Sequence, residues 1–289
     1  MKQKFIAAGY NVIDFYEKAD IYVINTCTVT NVADRKSRQI IRRAKEQNSD
    51  ALIIVTGCYA EVSREELEKM KEIDLIIGND DKNNIIDVVE AWVGQKRPQR
   101  NTELRLVSCN QQSRKFSATT NTDRTRLVIK IQDGCDNFCT YCIVPYAKGR
   151  SRSRKIASIV SEIVGAGFHT CPKEVVITGI EIASYDYGLI NLLEKINKIE
   201  ELKRIRLGSL EPRLITKDFL TRLKKLEKIC DHFHLSLQSG SNSVLKRMNR
   251  KYSTGEFKNK VKMIRELYPE AAITTDIIVR ISRRNRRRI

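Results

Sequence analysis

Leu127-Val128-Ile129-Lys130-Ile131-Gln132-Asp133-Gly134-Cys135-Asp136-Asn137-Phe138-Cys139-Thr140-Tyr141-Cys142 decides how this chain is read. The stretch 127–132 is a short β-branched run bounded by a glycine, which predicts a strand. A C-x3-C-x2-C run leaves its end. Three thiolates in one short loop can hold three irons of a [4Fe-4S] cube and leave the fourth iron open, which makes that iron a reaction site. Structural zinc takes four ligands, commonly in C-x2-C pairs, and no His or fourth Cys lies nearby to complete such a set.

Toward the C-terminus, strand candidates recur at 174–178, 204–207, 233–237 and 272–279. Helical stretches such as 156–165 and 217–229 separate them. Spacings of roughly 30 to 45 residues fit successive βα units of a parallel sheet or barrel. Five strands are too few to close an eight-stranded barrel, so residues 125–279 are expected to form an incomplete one. Toward the N-terminus, 19–25, 51–56 and 74–78 read as buried parallel strands, with helices at 32–47, 63–71 and 84–92. That is a small doubly wound sheet of the flavodoxin/Rossmann-like kind over residues 1–93, in which ligands gather at the carboxyl ends of strands. Cys27 and Cys58 sit just beyond two such ends. Gln, Asn, Ser, Thr and Arg dominate 94–124, which reads as a linker carrying one edge strand at 104–107.

Composition bounds the rest. A length of 289 residues favours two domains. With 41% hydrophobic and 30% charged residues, the chain is neither disordered by composition nor membrane-embedded. The start, Met1-Lys2-Gln3-Lys4-Phe5-Ile6, lacks the apolar stretch of a signal peptide, so a cytoplasmic, reducing setting is expected. There, eight cysteines are more readily metal ligands than disulfides. The net charge of +18 points to a polyanionic partner, most simply nucleic acid.

The run from Gly134 through Cys142 to Ile143-Val144-Pro145-Tyr146, with Gly149-Arg150 beyond it, resembles the radical S-adenosylmethionine (SAM) motif of methylthiotransferases. The resemblance implies that Cys135, Cys139 and Cys142 hold a [4Fe-4S] cluster whose open iron chelates SAM, and that Tyr141 contacts the adenine. Thr178-Gly179, Glu211 in Ser209-Leu210-Glu211-Pro212, and Ser236 and Gln238 in Ser236-Leu237-Gln238-Ser239-Gly240 resemble the family's SAM-contacting segments. Cys27, in Asn25-Thr26-Cys27-Thr28, and Cys58, in Gly57-Cys58, resemble the second and third ligands of the family's auxiliary [4Fe-4S] cluster. The family's first ligand lies on an earlier strand, and no matching Gly-Cys segment stands here. The residues after Cys27, Thr28 to Gln39, resemble the MtaB type, which acts on threonylcarbamoyladenosine at position 37 of tRNA, beside the anticodon. The implied partners are tRNA, SAM and an electron donor such as flavodoxin or ferredoxin. The implied reaction adds a methylthio group to adenine C2. Other substrates weighed are a ribosomal-protein side chain and, outside the enzymes, RNA held by a non-catalytic zinc protein. His232 and His234 read as packing or hydrogen-bonding residues, and Cys109, Cys171 and Cys230 as structural.

The end of the chain departs from the family. After the fifth strand, relatives read Gly-Phe-Pro-Gly-Glu, whereas this chain reads Arg280-Ile281-Ser282-Arg283-Arg284-Asn285-Arg286-Arg287-Arg288-Ile289. One base inserted ahead of codons GGA TTT CCC GGC GAA ACA GAA GAA GAA TT yields all ten residues. The tail at 280–289 is therefore expected to be a frameshift product, and the chain a fragment of impaired activity, shortened at both ends. Six of the 53 basic residues lie in that tail, which weakens the argument from net charge.

Overall fold

The computed structural model describes residues 1–28, 30–79, 81–96, 105–110, 126–165 and 173–279. Most of the 94–124 segment, Cys171 and the 280–289 tail lie outside the described residues. The chain divides into two compact units, the first taking the elements through residue 110 together with Tyr146–Lys148, the second the remaining elements.

In chain order the first unit holds α1 (Lys2–Ala7), β1 (Asn11–Val12), β2 (Ile21–Thr26), α2 (Asn31–Gln47), β3 (Leu52–Gly57), α3 (Cys58–Val62), α4 (Arg64–Glu68), β4 (Leu75–Ile77), α5 (Ile85–Lys96) and β5 (Arg105–Asn110). Its parallel sheet has the order β1-β5-β2-β3-β4. β2 and β3 are in register from Ile21↔Leu52 to Thr26↔Gly57, and strand alternation sorts their side chains onto two faces. Tyr22, Ile24, Ile53 and Val55 pack with Ile41 and Ala44 of α2 and Tyr59 of α3. Ile21, Val23, Leu52 and Ile54 pack with Phe5 of α1 and Ile85 and Val89 of α5. Both faces are covered, which is why these strands read as unbroken apolar runs.

Two expectations are corrected here. The strand expected at the sheet edge is β5, and it lies between β1 and β2, parallel to both. Its flanks are polar, but a strand hydrogen-bonded on both sides satisfies its backbone inside the sheet. The helix expected at 63–71 is only Arg64–Glu68, and Ser63, whose backbone (φ −127°, ψ 42°) is not helical, separates it from a short helix at Cys58–Val62.

The second unit holds β6 (Arg126–Asp133), the first two residues of α6 (Val144–Lys148), β7 (Arg152–Ser153), α7 (Ile156–Gly165), β8 (Glu174–Gly179), α8 (Leu189–Asn197), β9 (Arg204–Leu207), β10 (Ser209–Leu210), α9 (Lys217–Lys224), β11 (His232–Leu235), α10 (Asn242–Arg247), α11 (Thr254–Leu267) and β12 (Ala272–Thr274). One sheet has the order β7-β6-β8-β9 and the next β10-β11-β12. All pairings are parallel except that of the two-residue β7 with β6. Ile129, Ile131, Val175, Ile177, Ile205, Leu207, Phe233 and Leu235 form one core with Leu192, Leu193, Phe219 and Ile264 of the helices. The opposite face is polar and open, and Val128 on it is 60% exposed. This is the expected mixed α/β arrangement, a doubly wound unit followed by an open series of parallel βα units.

At the amino ends of the strands, buried Glu174 receives Arg126 at 2.8 Å, Arg204 at 3.1 Å and Arg206 at 3.2 Å, tying β6, β8 and β9 together. The helix expected to reach residue 229 stops at Lys224. Beyond it, the Lys228 carbonyl accepts the Ile205 amide at 2.7 Å and Ile229 bridges to Ile205, so that backbone serves the sheet instead of the helix. β12 is shorter than the expected 272–279 strand, with an isolated bridge from Ile277 to Gln238 beyond its end.

Candidate active site

Every element of the second unit's site leaves the carboxyl end of a strand. β6 shifts register between Lys130 and Gln132, and this bulge sets Gln132 opposite Gly179. The three cysteines follow on the loop that begins at Gly134. That residue has φ +75°, and a Cβ there would stand 2.0 Å from the Arg150 carbonyl oxygen, so only glycine lets the loop turn back on residues 149–150. The Cys135 amide donates to the Gly149 carbonyl at 3.1 Å, closing that turn. Phe138 takes φ 45°, a costly backbone for a bulky residue, and its neighbours hold it there. Asn249, itself at φ 60°, donates its side-chain amide to the carbonyls of Asn137 (3.1 Å) and Phe138 (3.0 Å).

Cys139 is buried, while Cys135 and Cys142 are half-buried and none is in a disulfide. Burial pushes the Cys135 thiol up, opposed by the Asn137 amide on its sulfur, and burial likewise raises Cys142 against the Val144 amide. Arg250 donates from Nη1 to the Cys139 sulfur at 3.3 Å, and its side chain is only 7% exposed.

Around this loop runs a charged network. Arg213 donates to Glu211 Oε2 at 2.6 Å, Arg250 stands 3.6 Å from Glu211 Oε1, and Glu211 is 4% exposed. Asn137 donates to Glu181 Oε2 at 2.8 Å and accepts from Arg213 at 3.3 Å. Burial, and next the repulsion of Glu211, push the Glu181 carboxyl up to about 7. The Tyr252 hydroxyl donates to the carbonyls of Ser236 and Leu237, the latter at 2.9 Å.

The sequence-derived residues are placed as follows. Glu211, Tyr141, Cys139 and Cys142 lie around Arg250, with burial raising the Tyr141 hydroxyl, while Cys135 stands beside Cys139 and Glu181. Gly179 is pressed against Gln132, since a Cβ there would meet the Gln132 carbonyl at 3.1 Å and Ile182 at 2.8 Å. Thr178 precedes it on β8, opposite Lys130. Ser236 joins through its carbonyl, and Gln238, at φ 65°, pairs its backbone with Asp276 and Ile278. His234 shares a hydrogen bond with Thr274 at 2.9 Å and His232 another at 3.2 Å, so both bond along the sheet. Gln132, Asn137, Glu181, Arg213, Asn249 and Arg250 were not singled out by the sequence. Glu181, two residues past Gly179 at a strand end, carried the one usable signal.

The residues fit an iron–sulfur cube better than a single ion. Among the described residues no three His, Cys, Asp or Glu side chains converge closely enough to hold one metal ion. Cluster thiolates each bind their own iron, so three sulfurs spread along a loop suit that group, and a buried cation beside one of them suits its negative charge. In the first unit, Cys27 and Cys58 each follow one residue after the paired Thr26↔Gly57. Gly57 is required there, at φ +107° with a Cβ 2.2 Å from the Thr26 carbonyl. Among the described residues no group of three such donors stands here, so Cys27 and Cys58 are two candidate donors side by side.

A three-cysteine loop leaving the first of a series of parallel βα units defines a radical SAM protein. The family model of the radical SAM superfamily matches residues 129–288, and that of the uncharacterized protein family UPF0004 matches residues 1–78. The chain is 41% identical over 286 residues to the threonylcarbamoyladenosine tRNA methylthiotransferase MtaB of Aquifex aeolicus, covering 96% of this chain and 68% of that protein. It is 40% identical over 289 residues to MtaB of Bacillus subtilis, covering 96% of this chain and 62% of that one. It is also 38% identical over 282 residues to a tRNA-2-methylthio-N(6)-dimethylallyladenosine synthase of Thermodesulfovibrio yellowstonii, covering 94% and 63%. The chain thus spans about two thirds of the length of these relatives. Among solved structures, the radical SAM methyltransferase TsrM from Kitasatospora setae superimposes with a TM-score of 0.60 at 18% identity, covering 91% of this chain and 57% of that one. The cobalamin-dependent radical enzyme OxsB does so at 0.57 and 13% identity, covering 96% and 42%, and both likenesses concern the fold alone. The chain belongs to the radical SAM superfamily and, within it, to the MtaB-type methylthiotransferases.

Among the described residues, no helix is long and apolar enough to cross a membrane.

Proposed function

We propose that this chain carries the catalytic part of a tRNA methylthiotransferase that adds a methylthio group to C2 of N6-threonylcarbamoyladenosine at position 37, in the cytoplasm. One observation carries the reading: the match to MtaB proteins at 40–41% identity covers 96% of the chain. Cys135, Cys139 and Cys142 hold a [4Fe-4S] cluster. When bound, that cluster and SAM supply a carbon radical able to take hydrogen from an unactivated position.

The chain's own groups bind and orient. Tyr141, Thr178, Gly179, Glu211, Ser236 and Gln238 line the strand ends where SAM is held, and Glu211, fixed by Arg213 at 2.6 Å, keeps its geometry without a ligand. Such fixed partners reduce the reorganisation needed when the reactants meet. Cys27 and Cys58 are two ligands of an auxiliary cluster, and no step is assigned to it. The electron donor is a low-potential carrier such as flavodoxin or ferredoxin.

The test is metal analysis of anaerobically reconstituted protein together with nucleoside analysis. Iron with acid-labile sulfide, lost on Cys139→Ala, supports the reading, and zinc alone overturns it. Cells lacking the intact gene should lose 2-methylthio-threonylcarbamoyladenosine while retaining 2-methylthio-dimethylallyladenosine. Loss of only the latter would move the substrate to the synthase type of the Thermodesulfovibrio relative.

A further inference from the structure

We infer that Arg250 is a positioning residue for the radical cluster, a permanently charged guanidinium held against the Cys139 sulfur that raises the cluster's reduction potential. This rests on the reading of Cys135, Cys139 and Cys142 as the cluster site.

The contact is fixed by backbone. Thr140 donates its amide to the Met248 carbonyl at 3.2 Å and its hydroxyl to the Arg247 carbonyl at 2.9 Å. Asn249, held at φ 60°, clamps the carbonyls of Asn137 and Phe138. Residues 247–249 are therefore bonded to the cysteine loop on both sides of Cys139, and Arg250 follows directly from that clamp. Its fork then divides: Nη1 meets the Cys139 sulfur at 3.3 Å, Nε donates to the Tyr252 hydroxyl at 3.1 Å, and Nη2 faces Glu211 at 3.6 Å. The guanidinium also lies 4.9 Å from the centre of the Tyr252 ring. A lysine could not serve sulfur, phenol and carboxylate at once, because only the planar guanidinium presents several donors in fixed directions.

Charge counting gives the contact its consequence. A cation this buried is costly unless an anion compensates it. Glu211 is the nearest carboxylate, but it stands closer to Arg213, at 2.6 Å, than to Arg250, at 3.6 Å. Two arginines share Glu211, and Glu181, whose carboxyl burial pushes up to about 7, adds only part of a second negative charge, so positive charge remains directed at Cys139. Reduction transfers one electron from an external low-potential donor onto the cluster, with no bond formed or broken. The product is more negative by one charge, and a fixed cation beside a ligand sulfur stabilises it more than the oxidised form, the more so away from bulk water. The structure thus sets a higher potential than the same cysteines would give without Arg250.

A potentiometric titration followed by electron paramagnetic resonance, on reconstituted full chain without SAM, tests this. Arg250→Met is expected to keep its iron and sulfide but to be about tenfold less reduced at a fixed donor potential, which for a one-electron couple is a fall of about 59 mV. Arg250→Lys keeps the charge and should fall by less. An unchanged midpoint in Arg250→Met with full cluster content overturns the inference. If Arg250→Met does not retain the cluster, Arg250→Gln replaces it as a neutral side chain that can still donate a hydrogen bond, and an unchanged midpoint there overturns the inference. Failure of the underlying reading is separately visible, as an undiminished iron–sulfur spectrum in Cys139→Ala.

Discussion

Gln132 and Glu181 are joined by a 2.8 Å hydrogen bond from the Glu181 backbone amide to the Gln132 side-chain oxygen, and Ile180 adds a second at 3.1 Å. The other end of the same amide donates to the Gly134 carbonyl and to the Ser151 hydroxyl, each at 2.8 Å. One side chain, 1% exposed, therefore couples the start of the cysteine loop to the turn after β8. Gln132→Leu leaves two part-buried backbone amides and the buried Gly134 carbonyl without this partner, and is expected to lower stability by about 1–3 kcal/mol. Urea unfolding measures it. A change below experimental error would show that water replaces the amide.

Gly134 and Gly9 separate two effects of a positive φ. Gly9, at φ +85°, has nothing within 4 Å of a built Cβ, so Gly9→Ala meets only the backbone penalty, about 1–2 kcal/mol. Gly134→Ala adds a clash 2.0 Å from a backbone oxygen that cannot rotate away. It is expected to lose iron incorporation as well as stability. Iron content of the two variants side by side distinguishes them, and equal content would deny Gly134 its role in shaping the loop.

What could be read without coordinates follows from how local each signal is. The buried strands β2 and β3 and the helix α7 are set by short apolar runs and helical spacing, and those residues alone place them. β5 was misjudged because its neighbours in sequence are polar, and its membership of the sheet depends on β1 and β2, distant along the chain. The three cysteines are legible because cluster ligands must be close in sequence to share a loop. Arg250 is not, since it meets Cys139 across 111 residues, and nothing local separates one arginine in a basic segment from another.

Cys27 and Cys58 stand one residue beyond a registered pair on neighbouring parallel strands, a spacing of adjacent strands of about 5 Å. Backbones at that spacing put both cysteines within reach of one metal group. The double variant Cys27→Ala/Cys58→Ala is expected to contain less iron per chain than the parent while keeping the spectrum assigned to Cys135, Cys139 and Cys142. Unchanged iron would leave both residues as ordinary packing thiols.

Glu181 gives the site a pH dependence whose sign is fixed. Its carboxyl is raised from 4.5 to about 7 in the folded chain, by burial first and by Glu211 second. Between those values the folded state binds more protons than the unfolded state, so this group's contribution to stability is fully present below pH 4.5 and lost as pH rises through about 7. The loss is at most about 3 kcal/mol by the usual conversion of a pKa shift to free energy, and less where solvent reaches the group. Glu181→Gln keeps an acceptor for Asn137 and cannot ionise. Its stability relative to the parent should therefore be near parity below pH 4.5 and should improve progressively to pH 7. Denaturant midpoints at several pH values in low salt measure this, and a parallel pair of curves would place the ionised carboxylate comfortably beside Glu211.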